Sequence, residues 1–256
     1  MAAVARTGDK MVYSKFRIVA LLLIYMLVIN TITTVAQSSS EEATEEPASN
    51  SLVVTIEATD GLTLEGEFFR SDQSDGRVVL LLHELYTTRA SWYPYIDSLR
   101  SAGFNVLAVD LRGFGRTRGR INWQNAQEDT QRWLDWLYRE AGIRGDAVFL
   151  IGSSMGSSLA LVGCAAAPAC TGSVAISPGR SYFGVSTDEA IISGRPILLA
   201  YADRDLYPRR AVPYMQEQEG FNGEIVSYPG RAHGMLLLAN EEDLLPQIIA
   251  WMNVHL

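Results

Sequence analysis

The stretch Ala147-Val148-Phe149-Leu150-Ile151-Gly152-Ser153-Ser154-Met155-Gly156 decides how the rest of the chain is read. Its first five residues are apolar and form a short, dense strand of the kind buried on both faces of a parallel sheet. The turn after them leads straight into an apolar helical pattern, Met155–Ala165. Gly152-Ser153-Ser154-Met155-Gly156 fits G-x-S-x-G, in which the middle serine sits on a strained strand-to-helix turn. Glycines flank the turn because neighbouring backbone comes too close for a side chain, and the turn lifts the serine hydroxyl clear of the sheet. An ordinary Gly/Ser loop has no reason to lie at the carboxyl end of a central strand, where open α/β sheets bind ligands.

Working outward, strand and helix patterns alternate on both sides of this turn. Leu52–Ala58 and Leu62–Phe69 read as strands joined by the hairpin signal Thr59-Asp60-Gly61. Val78–Leu82 and Asn105–Val109 are dense apolar strands, with helical spacing in Ser91–Ala102 between them and Gly103 as its stop. Gln127–Ala141 is helical. Three further strands follow, at Gly172–Ile176, Pro196–Tyr201 and Glu224–Tyr228, with a helix around Ala211–Glu217 and a terminal amphipathic helix at Glu241–Val254. This alternation predicts an α/β domain whose mostly parallel sheet is covered by helices on both faces, with the leading hairpin as an antiparallel edge. No internal repeat or second linker interrupts it, so residues 51–256 read as one domain.

The 256 residues carry a net charge of −8, and the only lysines, Lys10 and Lys15, lie near the start. Without residues 1–36 there are 17 arginines against 28 acidic residues, a balance of −11 that excludes a nucleic-acid-binding body. Arg6, Lys10, Lys15 and Arg17 precede the apolar run Ile18–Ile29 and the small-residue end Thr34-Val35-Ala36. That order is a signal peptide or, if uncleaved, an N-terminal membrane anchor; either places the body outside the cytoplasm. Residues 37–50, rich in Ser and Glu, read as an acidic flexible linker.

A serine hydroxyl needs a base to take its proton, and the base needs an orienting carboxylate. Of the three histidines, His255 ends the terminal helix and His83 ends a buried strand. His233 lies in the loop after the last strand, where a base can reach back over the sheet. Asp203 and Asp205 follow the preceding strand, and both are candidates for the acid. The order Ser154, Asp, His233 is that of nucleophile, acid and base on separate strand ends.

These residues resemble the α/β-hydrolase superfamily over about residues 51–256. Asp110-Leu111-Arg112-Gly113-Phe114-Gly115-Arg116-Thr117 is similar to the family's D-x-R-G-x-G-x-S loop, and Leu81-Leu82-His83-Glu84-Leu85 stands where the family has His-Gly. The resemblance implies a central sheet of about eight strands and acyl transfer through Ser154, Asp205 and His233. Asp205 is favoured over Asp203 because the family's acid precedes a proline by about three residues. It also implies an oxyanion hole from the backbone N–H groups of Leu85 and Met155, with His83 bracing that loop. Glu84 in place of glycine is similar to dienelactone-hydrolase-like members, whose glutamate approaches a cysteine nucleophile; a solvated Glu84 is the alternative.

Ser177–Arg195 is too short for a large cap, which favours an open site and small soluble esters. Glu84, Tyr86 and Tyr182 are candidates for the substrate pocket, with Trp92 and Phe183 as further aromatic candidates and ordinary packing as the alternative for Trp92. The expected partner is a small-molecule ester, and the expected assembly a monomer. No cofactor is expected, and no cluster has the spacing of metal ligands. Cys164 and Cys170 are the only cysteines, close enough to form a disulfide in an exported protein and otherwise two buried thiols.

Overall fold

Alternating side chains and the Gly61 turn (φ 80°) fold Ser51–Glu57 (β1) against Thr63–Phe69 (β2) as an antiparallel hairpin, with Glu57 opposite Thr63. In this computed structural model, residues 51–139 and 143–256 are described; the leader and linker readings of residues 1–50 lie outside the described residues. Val78–Leu82 (β3), Asn105–Val109 (β4), Val148–Ser153 (β5) and Cys170–Ile176 (β6) follow. A two-residue hairpin, Ser181–Tyr182 (β7) and Val185–Ser186 (β8), precedes Ile197–Ala202 (β9) and Gly223–Tyr228 (β10). The main sheet has eight strands in the order β1-β2-β4-β3-β5-β6-β9-β10, with β1 and β2 antiparallel and the other six parallel.

Helices cover both faces because the central strands are apolar on both. A 3₁₀ turn at Arg89–Trp92 leads into Tyr93–Ser101 (α1); Trp123–Arg139 (α2), Met155–Ala166 (α3) and the single turn Asp188–Ile191 (α4) come next. Pro208–Gln216 (α5), Met235–Asn240 (α6) and Leu244–Val254 (α7) complete the chain. Along β3, Val78, Leu80 and Leu82 pack with Trp133 and Leu134 of α2 and Leu159 of α3. The alternate residues Val79 and Leu81 pack on the opposite face with Ile96 and Leu99 of α1 and Ile248 and Trp251 of α7. Each fully buried Val or Leu contributes roughly 1.5–3 kcal/mol, so this double-sided core dominates stability.

Three differences from the sequence reading have local causes. The helix expected over Ser91–Ala102 begins as a 3₁₀ turn, with the Thr88 hydroxyl accepting from the Ala90 N–H, and becomes α-helical only where Pro94 stands in its first turn. The terminal helix starts at Leu244 instead of Glu241, because Glu241 is extended where it ends α6. Trp92 is buried in the core with Val79 and Leu81, so it does not line a pocket.

Between β6 and β9 stand only the small hairpin and α4, with no large cap. Cys164 near the end of α3 and Cys170 at the start of β6 form a disulfide. A loop this short is worth about 2 kcal/mol in the chain-entropy account. Among the described residues no helix is long and apolar enough to cross a membrane.

Candidate active site

Strand β5 delivers Ser154 onto a turn that only a gap in the neighbouring backbone permits. A Cβ on Gly152 would stand 2.0 Å from the Gly156 carbonyl oxygen, and one on Gly156 would stand 2.2 Å from the Leu82 oxygen and 2.6 Å from that of His83. Ser154 takes φ 49° and ψ −113°, a conformation L side chains rarely adopt, and its N–H is held by the Ile176 carbonyl at 2.9 Å. The strain belongs to a pattern. Tyr86, Ser154, Ser177 and Phe183 are the non-glycine residues with positive φ among the described residues, and all four lie on loops at the carboxyl end of the sheet.

His233 reaches Ser154 from the loop after β10, with Nε2 2.8 Å from the serine Oγ. Its Nδ1 lies 2.6 Å from Asp205 Oδ2, and the Asp205 side chain is 6% exposed while that of His233 is 35% exposed. A carboxylate at Nδ1 fixes the proton there and leaves Nε2 as the acceptor for the serine proton. Asp203 does something else: its carboxylate accepts from the Gly230 N–H at 2.8 Å, tying the acid loop to the histidine loop. The Arg204 N–H donates to the Gly230 carbonyl at 2.8 Å in the same seam.

The loop after β3 forms the other wall. Glu84-Leu85-Tyr86-Thr87 is a turn, with Tyr86 at φ 62° and the Thr87 N–H donating to the Glu84 carbonyl at 3.4 Å. Leu85 lies within this turn, and Met155 begins α3, where the first N–H groups of a helix have no partner within it. His83 is fully buried, and burial pushes its pKa below the usual histidine value, so the ring is neutral. Its Nε2 accepts from the Leu111 N–H at 3.0 Å, which assigns the proton to Nδ1, donated to the Glu84 carbonyl at 2.7 Å.

The Glu84 side chain neither floats in water nor bonds to the Ser154 hydroxyl. Its Oε2 accepts from the Ser153 hydroxyl at 2.9 Å and from the Met235 N–H at 2.9 Å, so one carboxylate joins the turn after β3, the Ser154 turn and the His233 loop. Gly234 makes room for it, since a Cβ there would lie 1.8 Å from Oε2. On the far side of Ser154, the buried Tyr182 hydroxyl donates to the Ser177 carbonyl at 3.1 Å, and its ring meets Tyr207 edge to face. Burial, with Asp205 nearby, pushes the Tyr182 pKa up, which keeps it a neutral donor. Tyr86 points outward and is 85% exposed.

The family model for the alpha/beta hydrolase fold matches residues 77–213, more than half of the chain. The chain belongs to the α/β-hydrolase family. A Salmonella typhimurium protein known only as uncharacterized protein YfhR is 26% identical over 122 residues, covering 44% of this chain and 42% of that relative. An epoxide hydrolase from Caballeronia sordidicola is 30% identical over 106 residues, covering 41% of this chain and 27% of the relative. This hydrolase-family chain thus aligns with well under half of either relative's length. Among solved structures, Pyrococcus furiosus esterase Pf2001 superposes with a TM-score of 0.70 at 21% identity, covering 80% of this chain and 93% of that one. A dienelactone hydrolase from Anabaena variabilis gives 0.65 at 21% identity, covering 81% and 98%. At these identities both speak to the fold alone.

Two features of this α/β-hydrolase escaped sequence reasoning. Ser177, at φ 52°, accepts the Gly234 N–H on its hydroxyl at 2.8 Å and the Tyr182 hydroxyl on its carbonyl; a serine followed by Pro178 carries no signal for either role. Ser153 was visible only as the variable position of the motif. The Asp110 loop is structural: its carboxylate takes the Arg89 and Arg116 N–H groups at 2.9 and 2.8 Å, and Arg112 is bonded to Asp129 and Asp60.

Proposed function

We propose that this chain is a serine hydrolase that cleaves carboxylic esters through Ser154, His233 and Asp205. The observation that carries the reading is the continuous relay Ser154 Oγ–His233 Nε2 (2.8 Å) and His233 Nδ1–Asp205 Oδ2 (2.6 Å). His233 Nε2 takes the Ser154 proton as Oγ attacks the ester carbonyl. The carbonyl oxygen, now negative, is received by the backbone N–H groups of Leu85 and Met155. Each such donor is worth roughly 10²–10³ in rate. Collapse of the tetrahedral intermediate expels the alcohol, which leaves with the proton from Nε2. Water then attacks the acyl-enzyme, giving its proton to His233, and the acid departs as Ser154 recovers its hydrogen. Asp205 holds the ring through Nδ1 and stabilises the imidazolium.

With only a small hairpin and one helical turn between β6 and β9, small esters are the substrates this reading favours, and the N-terminal pattern supports export of the body. Labelling of the full chain by a fluorophosphonate, with peptide mapping, tests the chemistry. Modification at Ser154 that is lost in Ser154→Ala and falls by roughly 10⁴–10⁶ in His233→Ala is the expected result. A folded chain that takes no label would sink the reading. Paired ester and amide substrates of one acyl group then test the preference for esters.

A further inference from the structure

The loops at the carboxyl ends of the strands differ in composition from the rest of the surface. Exposed apolar side chains gather there: Tyr86 on the turn after β3, Phe183 at the β7–β8 tip, Leu206 and Tyr207 after Asp205, and Leu236 just after His233. Two of these, Tyr86 and Phe183, are held outward by left-handed backbone, a strained arrangement for an aromatic residue. Soluble surfaces carry scattered apolar residues, but a group ringing one mouth marks an interaction site.

The same loops also carry exposed arginines, on a chain of net charge −8. Arg116, Arg118 and Arg120 follow β4, Arg209 and Arg210 open α5, and Arg231 stands two residues before His233; all six are exposed. Several carboxylates of these loops already have other partners: Asp110 pairs with Arg89, Asp60 with Arg112, Asp188 with Arg180, Asp203 with Arg204 and Asp205 with His233, while Asp243 bonds to Tyr228 and Gln247. Further exposed acids of the rim are Glu189, Glu242 and Asp243, set apart from the arginines of the β4 and α5 loops in sequence. Nucleic acid would satisfy the arginines but leave Leu206, Leu236 and Tyr86 against phosphate and water. An anionic lipid surface satisfies both, with guanidinium groups on the headgroups and apolar side chains at the acyl boundary.

We infer that the carboxyl-end rim docks on an anionic lipid surface and that the ester taken by Ser154 is presented from it; the second clause rests on the ester-hydrolase reading above. Between β6 and β9 no large cap separates these loops from such a surface.

A solvatochromic dye on Phe183→Cys in the full chain tests this, with the same dye on Val53→Cys of edge strand β1 as the reference position. Val53 is exposed. Vesicles of phosphatidylglycerol should shift the emission at position 183 to the blue, leave position 53 unmoved, and lose their effect as salt is raised. Vesicles of phosphatidylcholine should give little shift. Adding Arg209→Glu and Arg210→Glu should weaken the response to vesicle concentration about 100-fold, and Arg116→Glu with Arg118→Glu should weaken it comparably. No shift at position 183, equal shifts at both positions, or equal response to both lipids would overturn the docking surface. A charge- and position-specific shift without any ester turnover would keep the surface and remove the hydrolase reading. Turnover without the shift would do the reverse.

Discussion

The two ends of the sheet differ in which described residues take left-handed backbone: glycine alone ahead of the strands, and glycine together with Tyr86, Ser154, Ser177 and Phe183 beyond their carboxyl ends. Ahead of β3, β4, β9 and β10 the left-handed positions are Gly76, Gly103, Gly194 and Gly220, with φ between 76° and 100°. At the carboxyl ends the strained positions include Tyr86, Ser154, Ser177 and Phe183. A left-handed conformation costs a residue with a Cβ roughly 1–2 kcal/mol, and glycine almost nothing. Where the turn only connects, glycine removes the strain. Where a hydroxyl or ring has to be delivered to one place, the strain is kept, and the core on both faces of the sheet holds it.

The largest effect should come from exchanging the two kinds of space around glycine. Gly156→Ala would drive a Cβ into backbone oxygens of β3 and the turn after it, which cannot yield without moving the sheet. A loss of more than about 4 kcal/mol, or failure to fold, is expected. Gly194→Ala meets nothing within 4 Å and carries only the backbone penalty at φ 76°, about 1 kcal/mol. Urea denaturation of both variants measures the difference. Equal losses would mean that the Ser154 turn is no more tightly enclosed than a connecting loop.

Glu84 comes next because it ties three carboxyl-end loops to one another. Glu84→Ala leaves the Ser153 hydroxyl and the Met235 N–H without their shared acceptor, and should lower kcat by about 10–100-fold. KM should move little. Glu84→Gln keeps one carbonyl acceptor and should recover much of the rate. A variant that loses thermal stability while keeping kcat would make Glu84 a structural brace with no part in aligning His233.

His83 brings pH into the same comparison. Its folded pKa lies below the unfolded value of about 6.5 because burial disfavours the charged ring. Below pH 6.5 the unfolded chain binds the proton first, so stability present at neutral pH is lost as pH falls, by up to about 1.4 kcal/mol per unit for this one group. Thermal unfolding between pH 7.5 and 5 should show that slope in the wild type and a shallower one in His83→Gln.

How much was legible follows the reach of each interaction. The strand-to-helix turn at Ser154 was legible because glycine, serine and the strand-to-helix switch lie within ten residues of one another. The histidine loop was legible because His233 alone among three histidines follows a strand at the sheet edge. Asp203 and Asp205, two residues apart, were not separable from the residues alone. What separates them is direction: Asp205 turns inward to His233 while Asp203 turns to the Gly230 N–H. The partners of Glu84 lie 69 and 151 residues away, a tertiary fact with no local trace. The β7–β8 hairpin escaped because strands of two residues have no period to read.

The smallest effect is also the most direct test of the strain itself. Tyr86 and Phe183 share left-handed backbone and outward rings, but Phe183 stacks on Trp123 with centroids 5.5 Å apart. The Tyr86 ring, 85% exposed, recovers little through packing. Replacing each by glycine removes the Cβ penalty and adds the entropy glycine loses on folding, which offsets part of the gain. Tyr86→Gly should therefore stabilise the chain by about 0.5–1 kcal/mol, and Phe183→Gly should be neutral or destabilising as the stacking is lost. Urea midpoints for the pair read this difference without reference to catalysis. If Tyr86→Gly proves less stable than Phe183→Gly, the Tyr86 ring is packed more tightly than its exposure indicates, and the strain on the turn after β3 is held by the ring as well as by the backbone beneath it.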